Sequence, residues 1–154
     1  MPKNIHGGFF CYNNKLTSLE FCPKTVNGDF DCRYNKLTGL EFCPETINGS
    51  FYCSDNKLTS LEFCPKNIHG DFHCDNNNLS SLEFCPTTVT GNFYCENNNL
   101  IDVDMDDYYS FSDLYKIHLN HKINIDRERL DRNIQNKEKN GNKDITISHR
   151  KIKI

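Results

Sequence analysis

Nine cysteines and six histidines are the groups through which this 154-residue chain could do chemistry. Cys11, Cys32, Cys53, Cys74 and Cys95 recur at one fixed interval (32 − 11 = 21), and Cys22, Cys43, Cys64 and Cys85 form a second series with the same interval. Thiolates gathered in threes and fours hold zinc, and neighbouring thiols exchange disulfides. The spacing favours neither. Cys11 and Cys22 stand eleven residues apart, whereas zinc knuckles place their ligands about two to four apart. The total is odd, the opening MPKNIHGGFF lacks the apolar core of a secretory leader, and cytosolic thiols stay reduced. A cysteine that returns once per repeat behaves as a core position, where the thiol packs as a small hydrophobe. No metal and no other cofactor is expected. A metal- or redox-linked protein built on stacked cysteine ladders is the alternative reading.

The remaining candidates are weaker. His69 and His73 lie near Cys74, but adjacent strand residues point to opposite faces, so His73 and Cys74 are not expected to reach one ion. Asp102, Asp104, Asp106 and Asp107 resemble a calcium loop only superficially, since the sixth place holds Asp107 rather than glycine and the twelfth holds Asp113 rather than glutamate. A solvated acidic turn is the expectation there. No nucleophile motif, phosphate-binding glycine loop or paired-carboxylate context stands out from the repeat. The expectation is a protein that is not an enzyme.

These residues are placed by a repeat. In register, the columns are Ile5, Val26, Ile47, Ile68, Val89; then Gly7, Gly28, Gly49, Gly70, Gly91; then Phe9, Phe30, Phe51, Phe72, Phe93. The first cysteine series follows, then Asn14, Asn35, Asn56, Asn77, Asn98 and two leucine columns beginning at Leu16 and Leu19. A fixed short period means one supersecondary unit stacked on copies of itself, each burying its apolar face against the next. Phe-x-Cys has period two and predicts a short strand with both side chains inward. The pair Phe42-Cys43 leaves open which of the two faces in. Pro23, Pro44, Pro65 and Pro86 suit a returning segment that needs no ladder hydrogen bond.

The run Phe30-x-Cys32-x-x-Asn35-x-Leu37 resembles the leucine-rich repeat, whose pattern is Leu-x-x-Leu-x-Leu-x-x-Asn-x-Leu. The length and the boundary proline are similar to the short bacterial type, and the Gly-x-Phe-x-Cys-x-x-Asn variant resembles repeats of phages and giant amoebal DNA viruses. One departure is that the first leucine slot holds Asn27, with Val26 one place earlier. The resemblance implies a mainly β solenoid: a right-handed coil with one parallel sheet, closed by a small, partly helical C-terminal cap. It also implies an asparagine ladder bonding to turn backbone in its own and the adjacent copy. The expected division is 1–106 for five repeats and 107–154 for the cap and a basic tail. Within the latter, a helix is expected from Ser110, while the alternation of Ile117, Leu119, Ile123 and Ile125 supports a strand as well; a second helix is expected over 126–139, and 145–154 reads as a last strand or a loose tail.

For function, the resemblance implies a scaffold whose concave strand face binds a protein partner. On that face the residue between each Phe and Cys points away from the core: Phe10, Asp31, Tyr52, His73 and Tyr94. Flanking columns are Gly8, Asp29, Ser50, Asp71, Asn92 and Tyr12, Arg33, Ser54, Asp75, Glu96. Aromatic residues are over-represented where proteins bind one another. The opening strand edge, near Phe9 and Cys11, is expected to be uncapped, which makes a homodimer through pairing with a second copy one expected partner arrangement. Residues 1–100 carry 7 − 11 = −4 and the remainder 11 − 10 = +1, matching the net −3. That balance is too mild to suggest nucleic acid. No run approaches the length of a membrane span. A cytoplasmic protein is expected, in the host cytoplasm or the virion if it is viral.

Overall fold

The computed structural model describes residues 3–100, 130–132 and 135. Two-residue strands occur in pairs: Asn4–Ile5 (β1) and Phe9–Phe10 (β2), Thr25–Val26 (β3) and Phe30–Asp31 (β4), Thr46–Ile47 (β5) and Phe51–Tyr52 (β6), Asn67–Ile68 (β7) and Phe72–His73 (β8), Thr88–Val89 (β9) and Phe93–Tyr94 (β10). Every pairing is parallel, and each partner lies one repeat along: Ile5 faces Val26, Phe30 faces Phe51, Tyr52 faces His73. The chain is therefore a β-solenoid that returns to the same place once per repeat.

Two five-stranded parallel sheets run along the coil where the sequence predicts one: β1-β3-β5-β7-β9 and β2-β4-β6-β8-β10. The cause is a bend between the strands of each pair, over Asn27-Gly28 in the second copy. The apolar Val26 column and the Phe30 column cannot share one strand across it, so each builds its own ladder. Backbone donation also reverses: Asn27 N–H donates back to Ile5 C=O at 2.9 Å in the first sheet, whereas Phe30 N–H donates forward to Ser50 C=O at 2.9 Å in the second. A third line of backbone bonds joins the leucine segments, as in Lys57 N–H to Leu37 C=O at 2.8 Å.

The glycines close that bend by approach rather than by left-handed backbone, since none has positive φ. A Cβ on Gly70 would lie 3.0 Å from the Gly49 carbonyl carbon and 2.8 Å from the Ser50 nitrogen. Only a residue without a side chain lets successive turns come this near.

Inside, each turn contributes six rungs: Val26, Phe30, Cys32, Leu37, Leu40 and Cys43 in the second copy, with equivalents above and below. The Phe9, Phe30, Phe51, Phe72 and Phe93 rings follow one another with centroids 5.3–5.9 Å apart. Six rungs in 21 positions account for a hydrophobic content of only 36%. Pro23, Pro44, Pro65 and Pro86 are buried beside the second cysteine series, where a residue without an N–H leaves no donor to satisfy. The asparagine ladder implied by the resemblance is present. Asn56 Nδ2 donates to the carbonyls of Cys32, Cys53 and Ser54 at 3.0–3.1 Å, and its Oδ1 accepts the Leu37 N–H at 3.1 Å. Asn35, Asn77 and Asn98 repeat the arrangement.

Of the helix expected over 126–139, the described residues Leu130, Asp131, Arg132 and Gln135 are helical. The acidic run at Asp102–Asp107, the helix or strand expected between Ser110 and Ile125, and the strand or loose tail expected over 145–154 lie outside the described residues. Among the described residues no helix is long and apolar enough to cross a membrane.

Candidate functional site

The second sheet turns its Phe and Cys side chains inward, so the residue between them lies on the other face. Tyr52, His73 and Tyr94 form a continuous ring stack there, with centroids 4.9 Å apart for Tyr52–His73 and 4.2 Å for His73–Tyr94. The Arg33 guanidinium extends the stack by lying over the Tyr52 ring, 4.8 Å from its centroid. A cation on a ring face is held by the ring quadrupole. All three rings are half-buried, so they are fixed in place while their edges meet solvent.

The five residues expected on this face do not play one role. Phe10, on the edge strand β2, is 61% exposed and belongs to no stack. Asp31 is only 3% exposed. It accepts from Arg33 Nε at 3.0 Å, Arg33 Nη2 at 2.7 Å and the Arg33 backbone N–H at 3.1 Å. This two-toothed pairing holds the guanidinium over Tyr52 and raises the Arg33 pKa, chiefly through the hydrogen bond to Asp31. Asp31 thus positions Arg33 rather than facing a partner.

His73 sits between two tyrosine rings with Nδ1 3.7 Å from Asp75 Oδ1. Burial lowers its pKa, and the nearby carboxylates of Asp75 and Asp71 oppose that without overcoming it. Burial thus favours the neutral imidazole, and the positive charge of the stack is that of Arg33. Asp75 also accepts from Ser54 Oγ at 2.8 Å and from Asn76 Nδ2 at 2.9 Å. Asp55 is raised by burial and then by Asp75. The flank of the stack is acidic, with Asp55, Asp75 and Glu96.

The other flank is structural. Asp29 Oδ1 accepts the Ser50 N–H at 2.8 Å, Ser50 Oγ accepts the Asp71 N–H at 3.0 Å, and Asp71 Oδ1 accepts the Asn92 N–H at 2.7 Å. Each side chain caps the backbone of the following turn. In the sequence this column reads as variable surface; the signal was that every member after Gly8 is a short side chain with an acceptor oxygen.

All nine cysteines are free thiols. Burial pushes Cys85 up to about 11 and Cys95 up to about 12. Cys43, Cys53, Cys64 and Cys74 are likewise raised well above the ordinary value by burial. In the first copy Cys11 is held protonated by a hydrogen bond with Cys22, and the same bond lowers Cys22. Among the described residues no group of three or more His, Cys, Asp or Glu side chains is placed to hold a metal ion.

Comparison with protein-family models, with curated proteins and with solved structures finds no match to this chain.

Proposed function

We propose that this protein is a non-catalytic recognition scaffold of the leucine-rich type, which binds a protein partner through the outer face of its second sheet. The observation that carries this reading is the ordered Arg33–Tyr52–His73–Tyr94 stack. Rings already held in place lose little freedom when a partner covers them, which is what makes aromatic residues effective contact points. The acidic flank of Asp55, Asp75 and Glu96 favours a partner surface that is apolar at its centre and basic at its rim. The fixed core and changing surface columns fit a scaffold of this kind. The buried, protonated thiols support a packing role for the cysteine ladders rather than a metal or redox one.

Affinity capture from native or infected cells, with identification by mass spectrometry, tests the reading when run beside the double variant Tyr52→Ala, Tyr94→Ala. The expected result is loss of one or a few captured proteins with the fold intact by circular dichroism. An unchanged set of captured proteins rejects the strand face as the binding surface.

A further inference from the structure

A second row of exposed aromatic residues lies outside the strand face. Phe21, Phe42, Phe63 and Phe84 stand one per copy, exposed by 73%, 64%, 58% and 45%. Each is the third residue of a tight turn closed by a backbone bond, as from Cys43 N–H to Leu40 C=O at 2.9 Å. Each has left-handed backbone, with φ of 74°, 67°, 68° and 66°. That turn position favours glycine or asparagine, and a bulky residue there is a steric outlier. The backbone therefore does not ask for phenylalanine, and the core takes the neighbouring Cys43, Cys64 and Cys85 instead. Four exposed phenylalanines in one row, called for by neither backbone nor core, form an apolar stripe open to contact outside the chain.

The occupant follows from charge and pitch. Every one of these phenylalanines is preceded by an exposed glutamate: Glu20, Glu41, Glu62 and Glu83. On the far side, beyond the buried prolines, come Lys24, Glu45, Lys66 and Thr87, with Lys24 paired to Glu45 at 2.7 Å. The stripe is net acidic, with five glutamates against two lysines, so a second copy would meet a like net charge and an anionic bilayer the same repulsion. A cationic partner would not. The row advances by about 4.8 Å per turn, the spacing of paired strands. A helix advances by about 5.4 Å per turn, so apolar side chains on one helical face keep step with successive phenylalanines. Alternate residues of an extended strand, about 6.6 Å apart, do not.

We propose that the Phe21–Phe84 row with its glutamates is a docking stripe for a cationic amphipathic helix of a protein partner, separate from the strand face. The test uses a synthetic Leu/Lys amphipathic peptide of about 14 residues, roughly four helical turns, with a Leu/Glu peptide of the same pattern as control. Both are titrated calorimetrically against the wild type, against Phe42→Asn, Phe63→Asn and against Tyr52→Ala, Tyr94→Ala. Expected are binding of the Leu/Lys peptide alone, loss of about tenfold or more in affinity in the phenylalanine variant, and no loss in the tyrosine variant. Because asparagine accepts the left-handed turn, the phenylalanine variant should melt at or above the wild-type temperature. A melting temperature well below wild type overturns the proposal, since the rings would then serve the fold. So does equal binding to wild type and phenylalanine variant, which would reduce the effect to charge alone. Self-association or binding to vesicles of phosphatidylcholine and phosphatidylglycerol that disappears in the same variant would assign the stripe to another occupant. The tyrosine variant separates failure here from failure of the strand-face reading.

Discussion

Asn56 makes four hydrogen bonds with one amide, three given to carbonyls of two successive copies and one taken from the Leu37 N–H. No alanine could answer any of them. Asn56→Ala leaves the Leu37 N–H unpaired beside the core, while the three carbonyls keep Asn35, Asn77 and the Tyr34 N–H as donors, so the cost is on the order of 1–3 kcal/mol. Urea denaturation should show a lower midpoint with an unchanged slope. Asn35, Asn56, Asn77 and Asn98 could be read in the sequence because one position demands one chemistry. Asp31 could not. It shares a column with Tyr52, His73 and Tyr94, and its burial comes from Arg33 two residues away. A pairing between columns is invisible when each column is read alone. The Phe42-Cys43 choice was equally hidden, since it turns on the sign of one φ angle.

At the scale of the strand pair, the bend before each second-sheet strand decides the architecture. A Cβ at Gly70 would meet the backbone of Gly49 and Ser50 within about a bond's breadth of contact, whereas one at Gly7 meets nothing within 4 Å. Gly70→Ala should therefore cost about 1–3 kcal/mol as overpacking, and Gly7→Ala should be nearly neutral. Thermal melts of the two variants side by side check the pair. Equal effects would mean that the glycine column acts through the unfolded chain instead. The five glycines were evident in the sequence, but the second sheet was not. Asn27-Gly28 carries no mark that separates a bend between two ladders from a kink within one, and the answer depends on how closely neighbouring turns approach. The alternation of Phe and Cys, by contrast, predicts the second-sheet strands correctly, because period two leaves inward side chains no other arrangement.

Across the whole stack, buried thiols couple stability to pH. Cys85 rises from an ordinary value of 9.0 to about 11 and Cys95 to about 12. The folded chain thus keeps protons that the unfolded chain releases. Their contribution is complete below pH 9, declines as the unfolded thiols ionise, and is lost as pH passes the folded values near 11 and 12. Urea midpoints measured from pH 7 to 11 should be steady at first and fall above pH 9, and Cys85→Ala, Cys95→Ala should flatten that fall. Thiol labelling at pH 8 should reach Cys22 first, because it is only half-buried and its pKa is lowered by Cys11.

The constant offset between partners, with Phe30 against Phe51 and Phe51 against Phe72, makes one seam interchangeable with the next. Excising or duplicating a whole unit between two such seams, as unequal crossing-over does within a tandem gene, rejoins surfaces that already match. Length in this molecule is thus open to heritable adjustment without a new fold having to be invented.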